Sequence, residues 1–337
     1  MRNKIIIVLL MLTGVVSVSS CTKTVIFTAS ETKPRLVLYS LARPGNALVV
    51  EVSSSLFTLK EGTALFRYEV KPTTGTVKLY VNDSNIPITL TPRQPAQIGV
   101  DERGYPIYEK LPDAPIHYLS DYVVQPGDHL RLVASFRQYD DAEAEIDVPV
   151  CPSLTIDKVE FDHPTSTHST FNLTLTLEKG SNPKYYYRII PFAELEIVND
   201  DGTLTKRVYS ENKVFSNDII FQSTSYSFDD ILDVLDGKFK QEQIFADASL
   251  SSSPYTFNCG FGAPPPAPIR EKGGSARYYL RFVTISKELY LYMTSYEAVH
   301  HATTLSQLTE APVLYSNVKG GFGCFCACDK VEIDLGI

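Results

Sequence analysis

Six cysteines are the most reactive side chains in this 337-residue sequence: Cys21, Cys151, Cys259, Cys324, Cys326 and Cys328. The last three stand two apart, a spacing that raises the question of a metal site. Strand geometry argues against one. Side chains two apart on a strand are separated by roughly 6.5–7 Å, whereas thiolates on one zinc ion lie within about 4 Å of each other. The same separation disfavours a bridge between Cys324 and Cys326. Three roles therefore stay open for Cys151, Cys259, Cys324, Cys326 and Cys328: apolar packing, which is favoured, a cross-strand disulfide reaching Cys259 or Cys151, or metal ligation. His117, His129, His163, His168, His300 and His301 form no compact ligand pattern. No nucleophile elbow, P-loop or dinucleotide fingerprint is present. Asn199-Asp200-Asp201 lacks the spaced ligands of a calcium loop. These residues point to no catalytic group, no metal and no cofactor, so a non-enzymatic protein is expected.

Cys21 belongs to a different context. Met1 to Lys4 is a short basic start, Ile5 to Val18 is an apolar run, and Val18-Ser19-Ser20-Cys21 closes it. A basic start, an apolar stretch and small residues at the exit read as an export signal over residues 1–20. The exit resembles a bacterial lipobox, in which the cysteine thiol is acylated and becomes the first residue of the mature chain. Acyl chains anchor firmly, at about 0.8 kcal/mol per buried methylene. The expectation is a chain held to a membrane by lipid on Cys21, with residues 21–35 as a tether. The net charge of −8 opposes contact with anionic headgroups. It also excludes a typical nucleic-acid binder, which needs a basic face.

Positioning elements are mostly strands. Val77, Leu79 and Val81 alternate with polar residues, as do Ala144, Ile146 and Val148, and Leu173, Leu175 and Leu177. This two-residue period marks half-buried strands. Further strands are expected over 48–53, 65–70, 130–136, 185–190, 195–198 and 278–284, with Asp201-Gly202 as a hairpin turn. Two helices interrupt the pattern, one opening at Ser227 and stopping at Gly237, the other capped by Ser286 with a stripe of Leu289, Tyr292, Met293, Tyr296 and His300. Residues 262–274 read as an exposed loop. Twenty tyrosines, 17 phenylalanines and no tryptophan fit β-structure. The fold class is all-β: two β-sandwich or barrel-like domains, an immunoglobulin-like sandwich over 36–150 and a β-rich domain over 151–337, the second with one or two short packed helices.

At Tyr315-Ser316-Asn317-Val318-Lys319-Gly320-Gly321-Phe322-Gly323 the sequence resembles the closing signature of a Bacteroidetes lipoprotein family, the domain of unknown function 4249. Leu48-Val49-Val50-Glu51, Asp236-Gly237-Lys238 and Tyr185-Tyr186-Tyr187-Arg188 also fit. Two departures stand out: Val52 replaces the usual glycine, and Cys324-Phe325-Cys326 replaces Ile-Phe-Gly. The resemblance implies a β-rich outer-membrane lipoprotein of the cell envelope, on its periplasmic or extracellular face. Such proteins are often encoded beside TonB-dependent receptors, so an accessory role to such a receptor is expected, with a surface adhesin or glycan-binding module as the alternative. Tyr315, Ser316, Asn317, Gly320, Gly321 and Gly323 are expected to serve structure or an interface. The glycines have a plain structural reading, positive φ or close backbone approach before the last strand.

Overall fold

Alternation of apolar and polar residues becomes buried and exposed faces throughout the computed structural model. It describes residues 34–55, 57–59, 63–66, 70, 72–94, 97–100, 106–108, 115–162, 169–179, 185–210, 214–221, 244–300 and 313–337. The export signal, Cys21, His163, His168, His301 and the helix expected from Ser227 lie outside these residues.

The first strands are β1 Leu36–Ala42, β2 Ala47–Ser54, β3 Phe57–Leu59, β4 Thr63–Phe66 and β5 Gly75–Val81. There follow β6 Ile88–Pro92, β7 Gln97–Val100, β8 Pro106–Tyr108, β9 Ile116–Val123, β10 His129–Phe136 and β11 Ala142–Asp147. Beyond a linker over residues 148–153 come β12 Leu154–Asp162, β13 Ser169–Leu177, β14 Tyr186–Val198, β15 Leu204–Ser210 and β16 Ile244–Ala246. The chain closes with β17 Tyr255–Ala263, helix α1 Pro266–Glu271, β18 Ser275–Ile285, helix α2 Lys287–His300 and β19 Phe322–Asp334.

One mixed sheet runs the length of the molecule in the order β11-β10-β5-β6-β9-β2-β1-β19-β18-β14-β15, with β16 also on β14. A smaller sheet holds β12, β13 and β17. β6 turns a corner in the large sheet, because Val77 pairs with Leu90 while Thr91 pairs with Leu119. This folds β5, β10 and β11 over β1 and β2, and Leu38, Val50, Leu79, Leu130 and Leu132 fill the space between. The second core lies between β14 and β18 on one side and β13 and β17 on the other, with Tyr187, Phe282, Leu173 and Phe257 inside. Both units are sandwiches in the sense of two packed faces.

β19 joins them. Phe322 to Ala327 pair in parallel with Val37 to Ala42 of β1, and Cys328 to Asp334 pair antiparallel with β18. Val318, Phe325 and Ala327 accordingly lie in the first core although they are far along the chain.

Two expectations are corrected. Residues 185–190 and 195–198 are one strand, not two, despite Pro191. That proline falls between the stretch paired with β16 and the stretch paired with β15, where its missing N–H breaks no ladder. The expected loop over 262–274 contains α1, which begins on Pro266, a residue whose fixed φ suits the first helical position.

Candidate functional site

β19 gathers most of the residues singled out in the sequence. Phe325 faces the first core, and the alternate positions Cys324 and Cys326 lie on the opposite face, both buried. The Cys324 thiol points at the Glu288 carbonyl of α2, 3.8 Å away, and the Cys326 thiol at the Ser40 carbonyl, 3.5 Å away. A hydrogen bond with Cys324, together with burial, holds the Cys326 thiol well above its ordinary range. Burial also raises Cys328. Cys259 lies inside the second core, where burial pushes it up to about 12. Cys151 sits in the linker; its N–H donates to Asp329 at 3.0 Å and its sulfur accepts from Thr284 at 3.3 Å. Burial drives it to about 11. All five described cysteines are free thiols. Cys151, Cys259, Cys326 and Cys328, raised in this way, stay protonated at neutral pH and are poor nucleophiles; Cys324 is buried on β19 beside Cys326.

The motif before β19 holds the joint between the two sandwiches. Tyr315 N–H donates to Ser295 of α2 at 2.8 Å, and Ser316 accepts from Val318 N–H at 3.3 Å. The Asn317 side chain bonds both backbone groups of Phe325. Lys319 exchanges two backbone hydrogen bonds with Glu143 on β11. Gly320 adopts φ +75° beneath the Asp141 carbonyl, Gly321 lies against the Leu36 carbonyl, and Gly323 adopts φ +108° against Leu38. A side chain at any of the three would meet main chain. These glycines let the turn press against the first strand and the edge of β11.

Ser286 makes the handover from β18 to α2. Its N–H donates to the Ala327 carbonyl, and its hydroxyl accepts from Ala327 N–H and from Leu289 N–H, each at 3.3 Å. The helix then covers the cysteine face of β19. Tyr292 meets Tyr39 edge-on at 5.9 Å, and Tyr290 stacks on Tyr186 at 3.8 Å. Tyr296, at the far end of the stripe, is exposed. The two histidines whose side chains are described stand apart: His117 pairs with Glu51 at 3.3 Å and His129 with Asp147 at 2.7 Å.

The sequence reading missed Phe215. Its N–H and C=O both bond Gly260 of β17 at 2.8 Å, and its ring occupies the place a Gly260 side chain would take. The available signal was Gly260 itself, since glycine inside a strand often marks a close approach.

No curated protein matches the sequence. Solved structures similar to it include the crystal structure of bovine butyrophilin, 7% identical over 90% of this chain and 99% of that one. The TM-score of 0.21 makes this too slight a likeness to bear on function. The family model described as domain of unknown function (DUF4249) matches residues 22–334. With that match spanning nearly the whole sequence and the motif occupying the joint between its two cores, the chain belongs to the DUF4249 family.

Proposed function

We propose that this protein is a non-enzymatic component of the cell envelope, held at the outer membrane by lipid on Cys21, that docks onto a TonB-dependent receptor. The observation that carries the reading is an apolar row on the outer face of the large sheet. Val49 pairs with Leu119, and Leu41 stands next to them on β1. The three are 40%, 37% and 36% exposed. An aliphatic row on an open sheet face is the kind of surface that a partner covers. Its Leu41 member lies on the strand that begins at Leu36, the first after the tether. Fifteen residues reach at most about 50 Å, so the face stays close to a receptor in the same membrane and binds at high effective concentration.

Purification of the tagged chain from envelopes in mild detergent tests this. A TonB-dependent receptor should accompany the wild type in stoichiometric amount and be lost from Val49→Glu. Cys21→Ser should leave the body folded and release it from membranes. Retention of the receptor by Val49→Glu would refute the docking face, and membrane retention of Cys21→Ser after carbonate washing would refute the anchor.

A further inference from the structure

We infer that the segment docked on the Leu41–Val49–Leu119 row is an amphipathic α-helix, with acidic residues along one edge of its apolar stripe and basic residues along the other. The inference rests on the docking reading above and names the kind of surface that fits it. Apolar exposure continues along the strands from that row. Ala47 is exposed on β2 and pairs with Val123 of β9, itself 45% exposed. In the other direction the patch stops at the next row, where Glu51 and His117 pair across the same two strands at 3.3 Å. Arg93 follows β6 beside that polar row, its N–H bonded to the His117 carbonyl.

The borders of the patch select the shape of its occupant. Leu41 pairs with Cys326 of β19 and Val49 with Leu119 of β9, and β1 and β2 are neighbours between them. The row thus lies within the sheet, where a partner docks through side chains and cannot add a strand. On one side stands α2, resting on β19 and β1 through the contacts of Glu288 with Cys324 and of Tyr292 with Tyr39. On the other side the sheet turns its corner at β6. From Leu41 to Leu119 is two strand spacings, about 10 Å. That is the width of one helix and the distance at which two helices pack side by side. A sheet would lie about 10 Å above this one, in the layer that α2 already fills over β19 and β1. A second helix beside α2 continues that layer.

Charges at the two borders differ in sign. Arg43, exposed just past the end of β1, lies within electrostatic reach of Cys328 on the side where α2 begins. Asp121 is exposed on β9 between Leu119 and Val123. A helix that matches both carries carboxylates on the edge towards Arg43 and lysine or arginine on the edge towards Asp121. Between them its aliphatic residues recur at three- and four-residue spacing, the pattern by which a helix fills an apolar groove. Complementary charges at a rim fix register and speed association, and salt screens them.

Photo-reactive benzoylphenylalanine in place of Leu41, and separately of Leu119, in the full chain and in native envelopes tests the assignment. Illumination should join the chain to the receptor, and the receptor residues joined should recur three and four apart within one segment. Joined residues two apart, residues scattered over separate loops, a second copy of this chain in place of the receptor, or no joined product at either position would overturn the helix. Asp121→Lys and Arg43→Glu, both at exposed positions, should each lower receptor recovery several-fold at low salt and less at high salt. Unchanged recovery from both would overturn the charged edges. If the receptor accompanies the wild type and is lost from Val49→Glu while the joined residues lack helical spacing, the docking reading stands and the helix alone falls. If no receptor accompanies the wild type, both fall.

Discussion

Asn317 behaves as a one-residue strand for Phe325: its amide nitrogen donates to the Phe325 carbonyl at 2.7 Å, and its amide oxygen accepts the Phe325 N–H at 2.9 Å. β18 gives way to α2 at Ser286 and leaves this stretch of β19 without a neighbour on that edge. A side-chain amide has the same donor and acceptor as a peptide group, so Asn317 completes the ladder where no backbone does. Phe325 is fully buried, and each buried backbone group left unpaired costs about 1–3 kcal/mol. Asn317→Ala should therefore destabilise the protein by about 2–4 kcal/mol in urea denaturation. Asn317→Asp, which keeps the acceptor and loses the donor, should fall between it and wild type. A wild-type midpoint for Asn317→Ala would refute this role.

A glycine of the same motif can be ranked against one in the turn between β1 and β2. Gly45 and Gly320 share a positive φ, +78° and +75°, but Gly45 faces open space while Gly320 lies under the Asp141 carbonyl. Gly45→Ala should cost only the backbone penalty of about 1–2 kcal/mol. Gly320→Ala adds overpacking of about 1–3 kcal/mol. Parallel thermal melts should show the larger fall for Gly320→Ala, and equal falls would mean that the turn yields freely.

Alkaline pH should destabilise the second sandwich through Cys259. The unfolded thiol loses its proton near 9, whereas burial raises the folded value to about 12. The stabilising difference is whole below about pH 9 and is lost as pH rises towards 12, because the unfolded state releases its proton first. At about pH 10.5 the loss from this group is about 1–2 kcal/mol. Cys259→Val, close in volume, should flatten the decline in a denaturation series from neutral to alkaline pH. An unchanged slope would remove Cys259 as its source.

Asp128 organises the Pro126-Gly127-Asp128 turn from within. It is 4% exposed and accepts from Tyr122 hydroxyl at 2.7 Å, Gln125 N–H at 2.8 Å and Asn82 amide at 3.0 Å. Burial, and then the Asp128 carboxylate, push the Tyr122 hydroxyl up to about 12. In Asp128→Ala the phenol should titrate at lower pH, followed by absorbance near 295 nm, and the turn should lose stability because three donors lose their acceptor. Unchanged Tyr122 titration would mean that burial alone sets it.

Local periodicity carried the reading of single strands, as in β13, where leucines and polar residues alternate without interruption. It also located α2 through the Ser286 cap. The joint between the sandwiches was not legible, because Val37 and Phe322 are brought together by a parallel pairing that closes nearly the whole chain. Pattern within a window cannot express such a contact. The continuity of β14 through Pro191 was hidden for a related reason: whether a strand tolerates proline depends on which neighbour its N–H would have faced. That α2 would cover the Cys324 and Cys326 face of β19 was not legible either, because the helix and the strand are far apart in any local window. Phe215 escaped because its meaning rests on a vacancy 45 residues away, at Gly260.

The pairing of β1 also sets how the molecule bears force. β1 starts at Leu36 and is flanked on both sides, by β2 antiparallel and by β19 parallel with six residues in register. A pull on the residues before Leu36 acts along the strand axis. The rungs of both ladders are then loaded in shear and together, whereas a perpendicular pull would open them one after another like a zip. The Gly320–Gly321 turn clasps the Leu36 end of that strand, so tension meets its stiffest part first. A body tethered at this point in moving fluid should resist extraction far better than its equilibrium stability alone implies, since forced unfolding follows the barrier and not the free energy.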